Sequence, residues 1–209
     1  MTAFRHLALF AAMALASLPA HADKVVSYTI DPTHTQVIFR WAHAGFSHPG
    51  AVFTNVTGTL QGDQDAPEKS SVDVTIQVNS LDAFVPLLTS RLVDSGDYFK
   101  AKEFPTVTFK STGMSDVDRG RRTFKLAGIL TINGISKPVV LDVKANTIGS
   151  HPFYDGAPAA GFDASTTVLR SQFNIGPNVP IVSDEIKVGI TVEAVETTMY
   201  ERKQAEQQR

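Results

Sequence analysis

Strict alternation of apolar and polar residues, repeated in segment after segment, constrains this chain more than any other feature. Val25 to Ile30 reads as a first strand, and Gln36 to His43 as a second with Val37, Phe39, Trp41 and His43 on one face. Val52 to Leu60 reads as a third, followed by the polar stretch Gln61 to Lys69. Ser71 to Val78 alternates again, with Val72, Val74, Ile76 and Val78 on one side. The period changes only over Phe84 to Phe99, where apolar residues at 84, 88, 92 and 99 fit one or two helical turns after Pro86. Strands return at Thr106 to Ser111, Arg122 to Ile132, Pro138 to Asn146, Gly161 to Phe173 and Glu185 to Glu196. Asn133-Gly134 is a strong hairpin signal between two of them. Successive strands with short connections and no βαβ rhythm specify an antiparallel all-β fold. On pattern alone a barrel and a sandwich both satisfy it.

The chain starts differently. Arg5 and His6 precede an apolar run of 12 residues, Leu7 to Leu18, and Ala20-His21-Ala22 supplies small residues for a peptidase. That is the layout of a secretory signal peptide, and the run falls short of the roughly 20 residues that span a bilayer. Cleavage is expected after Ala22, which puts the mature protein outside the cytoplasm and leaves one domain over 23–198 and a polar tail over 199–209 that is expected to fray. Removal of the leader takes Arg5, leaving 18 basic against 21 acidic side chains and a net charge of −3. Nothing in that balance points to nucleic acid. The chain has no cysteine, so an exported fold must hold without disulfides, and thiol nucleophiles and thiolate metal sites are excluded.

Thirteen Phe and one Trp, several on the better-patterned strand faces, admit two readings. They build a packed core, or they line a cavity, since about eight strands closed into a barrel hold either filler side chains or one small ligand. His34, His43, His48 and His151 lack HExxH spacing, and there is no G-x-S-x-G elbow, S-x-x-K or phosphate loop. The sequence does not read as an enzyme, and no metal or cofactor is expected. An enzyme would need acids and bases converging at a mouth, with Asp31, His34 and His43 as the candidates.

Taken in order, six stretches resemble the YceI-like family of exported, lipocalin-like, polyisoprenoid-binding proteins. They are Tyr28 to Asp31 with His34 to Phe39; His43 to Ser47 with Gly50, Phe53 and Gly58; Asp97-Tyr98-Phe99 leading to Phe104 to Thr112; Gly128 to Val139; Gly161-Phe162; and Arg170 to Ile175. The resemblance covers Tyr28 to Glu196. It implies an extended antiparallel barrel of about eight strands, with a short helical segment near 84–99. It also implies a tubular interior for an isoprenoid, polyprenyl or quinone-type lipid, or a similar long-chain amphiphile. Phe39, Trp41, Phe53, Leu88, Phe99, Phe109, Phe124 and Phe173 are the expected lining, with His43 and Arg170 as polar contacts; the competing reading of Arg170 is a surface salt bridge. Many relatives carry an Arg-Asp-x-His-Leu run where this chain has Thr89-Ser90-Arg91-Leu92-Val93, so only a shifted Arg91 remains. Ala159 stands where some have a basic residue. Two assemblies also enter as expectations: a homodimer through edge strands, and a membrane redox partner.

Overall fold

The computed structural model describes residues 25–63 and 65–209, so the leader read over 1–22 lies outside the described residues. Eight strands close a barrel: β1 (Val25–Ile30), β4 (Val56–Asp63), β5 (Ser71–Gln77), β7 (Thr106–Asp118), β8 (Thr123–Ile132), β9 (Ile135–Ser150), β10 (Pro158–Leu169) and β11 (Glu185–Glu196). Every neighbouring pair is antiparallel, and β11 returns to β1 through Tyr28–Glu196, Thr29–Val195 and Ile30–Ala194. That last pairing decides between barrel and sandwich. It also leaves no free edge along these eight strands.

Three further short strands, β2 (Gln36–Arg40), β3 (Gly50–Phe53) and β6 (Leu81–Asp82), continue the wall at one end. There β2 takes over from β1 beside β11, β3 pairs with β2, and β6 pairs with β3. The strand expected over 52–60 is thus two, broken at Thr54-Asn55, and the one expected over 36–43 stops at Arg40. Other boundaries move in both directions. β7 runs on to Asp118 through two register shifts, β9 extends to Ser150, and β10 ends at Leu169 in a 3-10 turn over Arg170–Phe173.

The hairpin signal at Asn133-Gly134 is realised with both residues at positive φ, 50° and 72°, which suits the twist of the flanking strands. The helical segment is α1 (Pro86–Asp94), started by Pro86, whose missing N–H costs nothing in a first turn. Phe84, expected on its apolar face, is instead exposed.

The chain directions define two ends. The loop over 41–49, the segment 83–105 with α1, the 133–134 turn and the segment 170–184 share one, here the near end. The turn at 119–122, the loop over 151–157 and α2 (Thr197–Gln207) share the far end. α2 occupies the tail that was expected to fray. Its sequence lacks a long apolar stripe, so periodicity misses it. The Glu196 carboxylate caps it by accepting from the Thr198 and Met199 N–H groups, and Met199 and Tyr200 pack on Tyr154, Ala157, Ala159 and Val195. Arg202 and Lys203 both reach Asp155.

A polar clasp on the outer wall ties this far-end cover down. Asp31, 1% exposed, stands in the break between β1 and β2. One oxygen accepts from the Thr33 N–H and hydroxyl; the other accepts from His34 Nδ1 at 2.8 Å and from the Tyr154 hydroxyl at 3.3 Å. Glu193 on β11 accepts from His151 Nε2 at 3.0 Å. Burial pushes the Asp31 carboxyl up, but the hydrogen bonds from His34 and Thr33 outweigh it, so it ionises below its ordinary 3.8. The bond to Asp31 holds the His34 proton above its ordinary 6.5. Burial, with the Asp31 charge behind it, pushes Tyr154 up to about 12.

The signs fix a pH window. The raised His34 pKa contributes stability below 6.5 that is lost as pH rises through its folded value; the lowered Asp31 pKa contributes above 3.8 and is lost on acidification. Because His34 is largely exposed, its share is small. Asp31→Asn is expected to cost about 2 kcal/mol in urea unfolding at about pH 5.5, since it strips charge from a buried acceptor of four hydrogen bonds. It should also flatten the decline in stability between about pH 5.5 and 8. An unchanged pH slope in the variant would assign that slope to other groups.

Candidate binding cavity

Because β-strand side chains alternate, one face of every barrel strand points inward, and those faces are mostly apolar, with Val, Ile, Leu and Phe the commonest. They do not fill the space. A cavity of about 1050 Å³ runs from His43, Ser47, Asn178 and Val182 at the near end to Asp63, Arg119 and Arg122 at the far end. The volume stands at the upper limit of ordinary small-molecule sites. The two readings of the aromatic content therefore both apply, in different parts of one interior.

All ten residues singled out from sequence border this cavity. Phe39, Phe53 and Phe99 form a cluster at the near end, with centroid separations of 5.5 Å between the first two and 5.4 Å, edge to face, between the last two. Trp41 extends the cluster toward the mouth, 6.0 Å from Phe39. Phe173, fully buried, and Leu88 on α1 belong to the same packed group. Phe109 and Phe124 line the middle of the tube, where Phe124 meets Phe162 edge to face at 6.3 Å. Gly128 faces inward on β8, and a Cβ there would collide with the Phe109 ring, so the glycine lets that ring lie against the wall.

His43 sits at the near mouth, bridged to Ser47 and Val182. It is not brought to Asp31 and His34, which lie on the outer wall with Glu193, so the trio considered for an enzyme does not assemble. Asp31, His34 and Glu193 place one potential metal-ligand atom each within 4.8 Å of one another, but Asp31 already accepts four hydrogen bonds there.

Arg170 is not a surface residue, and it has no ion-pair partner among the described residues. It is buried, and its guanidinium donates to the carbonyls of Ser183, Ile175, Pro177 and Val182 at 2.8, 2.9, 3.2 and 2.9 Å. Those donors are directed into the loop over 174–184 and brace it; only glycine fits at 176, where a Cβ would strike the guanidinium. Asn133 braces the same end by donating to the carbonyls of Tyr98 and Phe173.

Three further cationic residues line the cavity: Arg91, noted in the sequence only as what remains of the Arg-Asp-x-His-Leu run, and Arg119 and Arg122, which the sequence did not single out. Arg91 shares a helix face with Leu88 and Leu92, a spacing of three and four that marks it as lumen-facing. Arg119 and Arg122 flank the β7–β8 turn, where no periodicity signals them. Ala159, by contrast, is buried against α2, away from the lumen. Among the described residues no helix is long and apolar enough to cross a membrane.

Known proteins share this architecture. A crystal structure of a Campylobacter jejuni YceI protein superimposes with a TM-score of 0.66 at 29% identity, over 72% of this chain and 86% of that one. A polyisoprenoid binding domain from Saccharophagus degradans, described as implicated in plant cell wall breakdown, has the same fold. It matches with a TM-score of 0.59 at 11% identity, over 82% of this chain and 99% of that one. A UPF0312 protein of Enterobacter sp. is 34% identical over 171 residues, covering 81% of this chain and 86% of its own length. The YceI-like domain family matches residues 28–194, and the chain belongs to that family.

Proposed function

We propose that this protein is an exported, periplasmic binding protein that sequesters or carries a long-chain isoprenoid lipid, polyprenyl or quinone-type, inside the barrel. One observation carries the reading: a continuous apolar cavity of about 1050 Å³ along the barrel, with polar groups concentrated at its ends. A chain of about 20 carbons buried there gains roughly 16 kcal/mol at about 0.8 kcal/mol per CH₂. Association and chain ordering offset a large part of that, of the order of 4–15 kcal/mol. The remainder, about 1–12 kcal/mol, reaches micromolar retention without a specific anchor wherever the offset stays below about 8 kcal/mol. Head groups are then placed at the rims, where Arg91 and His43 at one end and Arg119 and Arg122 at the other are available. The Saccharophagus neighbour, described as polyisoprenoid binding, is consistent with this use of the fold, although at 11% identity its weight lies in the architecture alone. Among the described residues the one histidine of the lining, His43, stands at the near end, with the acids Asp63 and Asp118 at the far end, an arrangement that favours binding over catalysis.

Solvent extraction of untreated protein is expected to release a near-equimolar isoprenoid lipid, identified by mass spectrometry. Ala164→Phe, which places a ring in mid-lumen beside the Phe109, Leu141 and Val143 cluster, should cut the retained lipid at least about fivefold while the protein stays folded, because the added volume enters the cavity. Lys187→Ala, on the outward face of β11, should leave it unchanged. Protein that yields no lipid and takes up none from added polyprenol would overturn the reading. Gly128→Ala should push the Phe109 ring into the tube and lower stability by about 1–3 kcal/mol, measured by thermal unfolding.

A further inference from the structure

The outside of the barrel does not carry its large apolar side chains evenly. Of the five most exposed among the described residues, four stand at the near end: Phe46 (93%), Leu87 (80%), Phe84 (72%) and Ile181 (69%). They come from three separate segments. Phe46 tips the loop over 41–49, and the Ala44 N–H donates to the Ile181 carbonyl at 2.9 Å, tying that loop to the segment 170–184. Phe84 leaves β6, whose pairing of Asp82 with Val52 directs the chain toward Gly50 and hence to the same end.

The backbone at Phe84 is unusual. Its φ of 62° is uncommon for a bulky residue, and its N–H is held by the Asp82 carboxylate at 2.7 Å. Leu81 and Ala83 stay in the core cluster while the Phe84 ring is turned out to solvent.

Three of these exposed residues are immediate chain neighbours of cavity-lining ones: Phe46 of Ser47, Leu87 of Leu88, Ile181 of Val182. The apolar rim and the apolar lumen are therefore adjoining surfaces that meet at one mouth. Resting on the lipid-carrier reading, we propose that this mouth docks on a phospholipid bilayer, with Phe46, Phe84, Leu87 and Ile181 inserted among the head groups. The lumen then opens toward the acyl layer, and an isoprenoid chain passes between them with less of its length crossing water.

The pattern of the rim selects a bilayer over a second copy of the chain. Apolar points on separate loops, with Ser47, Arg91 and Asn178 at the mouth and the exposed His48 beside Ser47, suit the mixed polar and apolar depth of a bilayer interface. A protein interface instead needs a contiguous, well-packed core.

Flotation of the purified full-length mature protein with vesicles of phosphatidylethanolamine and phosphatidylglycerol tests this. Wild-type protein should float with the vesicles, and Phe46→Ser/Leu87→Ser should reduce the floated fraction at least about tenfold. Phe153→Ser, at the far end, should float like wild type. Thermal unfolding and extractable lipid, measured on the same preparations, should match across all three, which separates docking from folding and cargo binding. A wild-type protein that holds lipid yet does not float overturns docking alone; one that floats but holds no lipid overturns the carrier reading alone. A double variant that floats like wild type also overturns docking. So does wild type that forms dimers in light scattering while the double variant is monomeric, since the rim would then be a self-association surface.

Discussion

Three residue pairs hold the architecture closed. Tyr28–Glu196, Thr29–Val195 and Ile30–Ala194 join the first described strand to the last, and without them the same strands would form an open, edged sheet. Closure converts alternation from a local pattern into a global one. Every inward residue faces a common axis, and no edge is left along the eight strands for another chain to extend. Because these pairs link positions some 165 residues apart in sequence, the contact is entropically costly to form and depends on the strands between being in register.

The breaks in the wall are as consequential as the closure. The wall gives way at Asp31 to Thr35, at Thr54-Asn55 and at Val78 to Ser80, each time between one short strand and its continuation. The displaced continuations make room at the near end for α1, for Phe99 and for the turn bearing Phe173, which pack together as a partial plug. The first of these breaks also hosts Asp31, so one irregularity serves both ends: it admits the near-end plug and anchors the far-end cover.

Much of this was legible in the residues. Strands were readable wherever one face is apolar and the other wet, as in β8 and β11, because burial on one side imposes the period. The breaks were not: at Thr54-Asn55 two polar residues follow the apolar pair Val52-Phe53, but apolar residues resume at Val56 and Leu60, and only the change of pairing partner reveals the bend. The helix α2 escaped detection because its docking rests on two side chains and a cap, not on a stripe. In the cavity, the aromatic lining could be read from strand faces, whereas Arg170 could not be placed: its role depends on four carbonyls of a loop whose path no local pattern encodes. Whether aromatic faces meet or leave a void is decided by barrel circumference, a property of closure and not of any one strand.

That void has a thermodynamic meaning of its own. At about 24 cal/mol per Å³, a dry, vacant space of about 1050 Å³ would cost on the order of 25 kcal/mol, more than the roughly 5–15 kcal/mol by which a domain is stable. Vacuum is not a resting condition for such a tube; water or an apolar molecule has to occupy it. Of the two, only the apolar molecule restores the dispersion contacts that a filled interior would have made. In a chain without a single cysteine to cross-link its wall, an apolar guest of the kind proposed would stand where a filled core otherwise stands: the polypeptide supplies a shell, and the guest would supply the contacts its interior lacks.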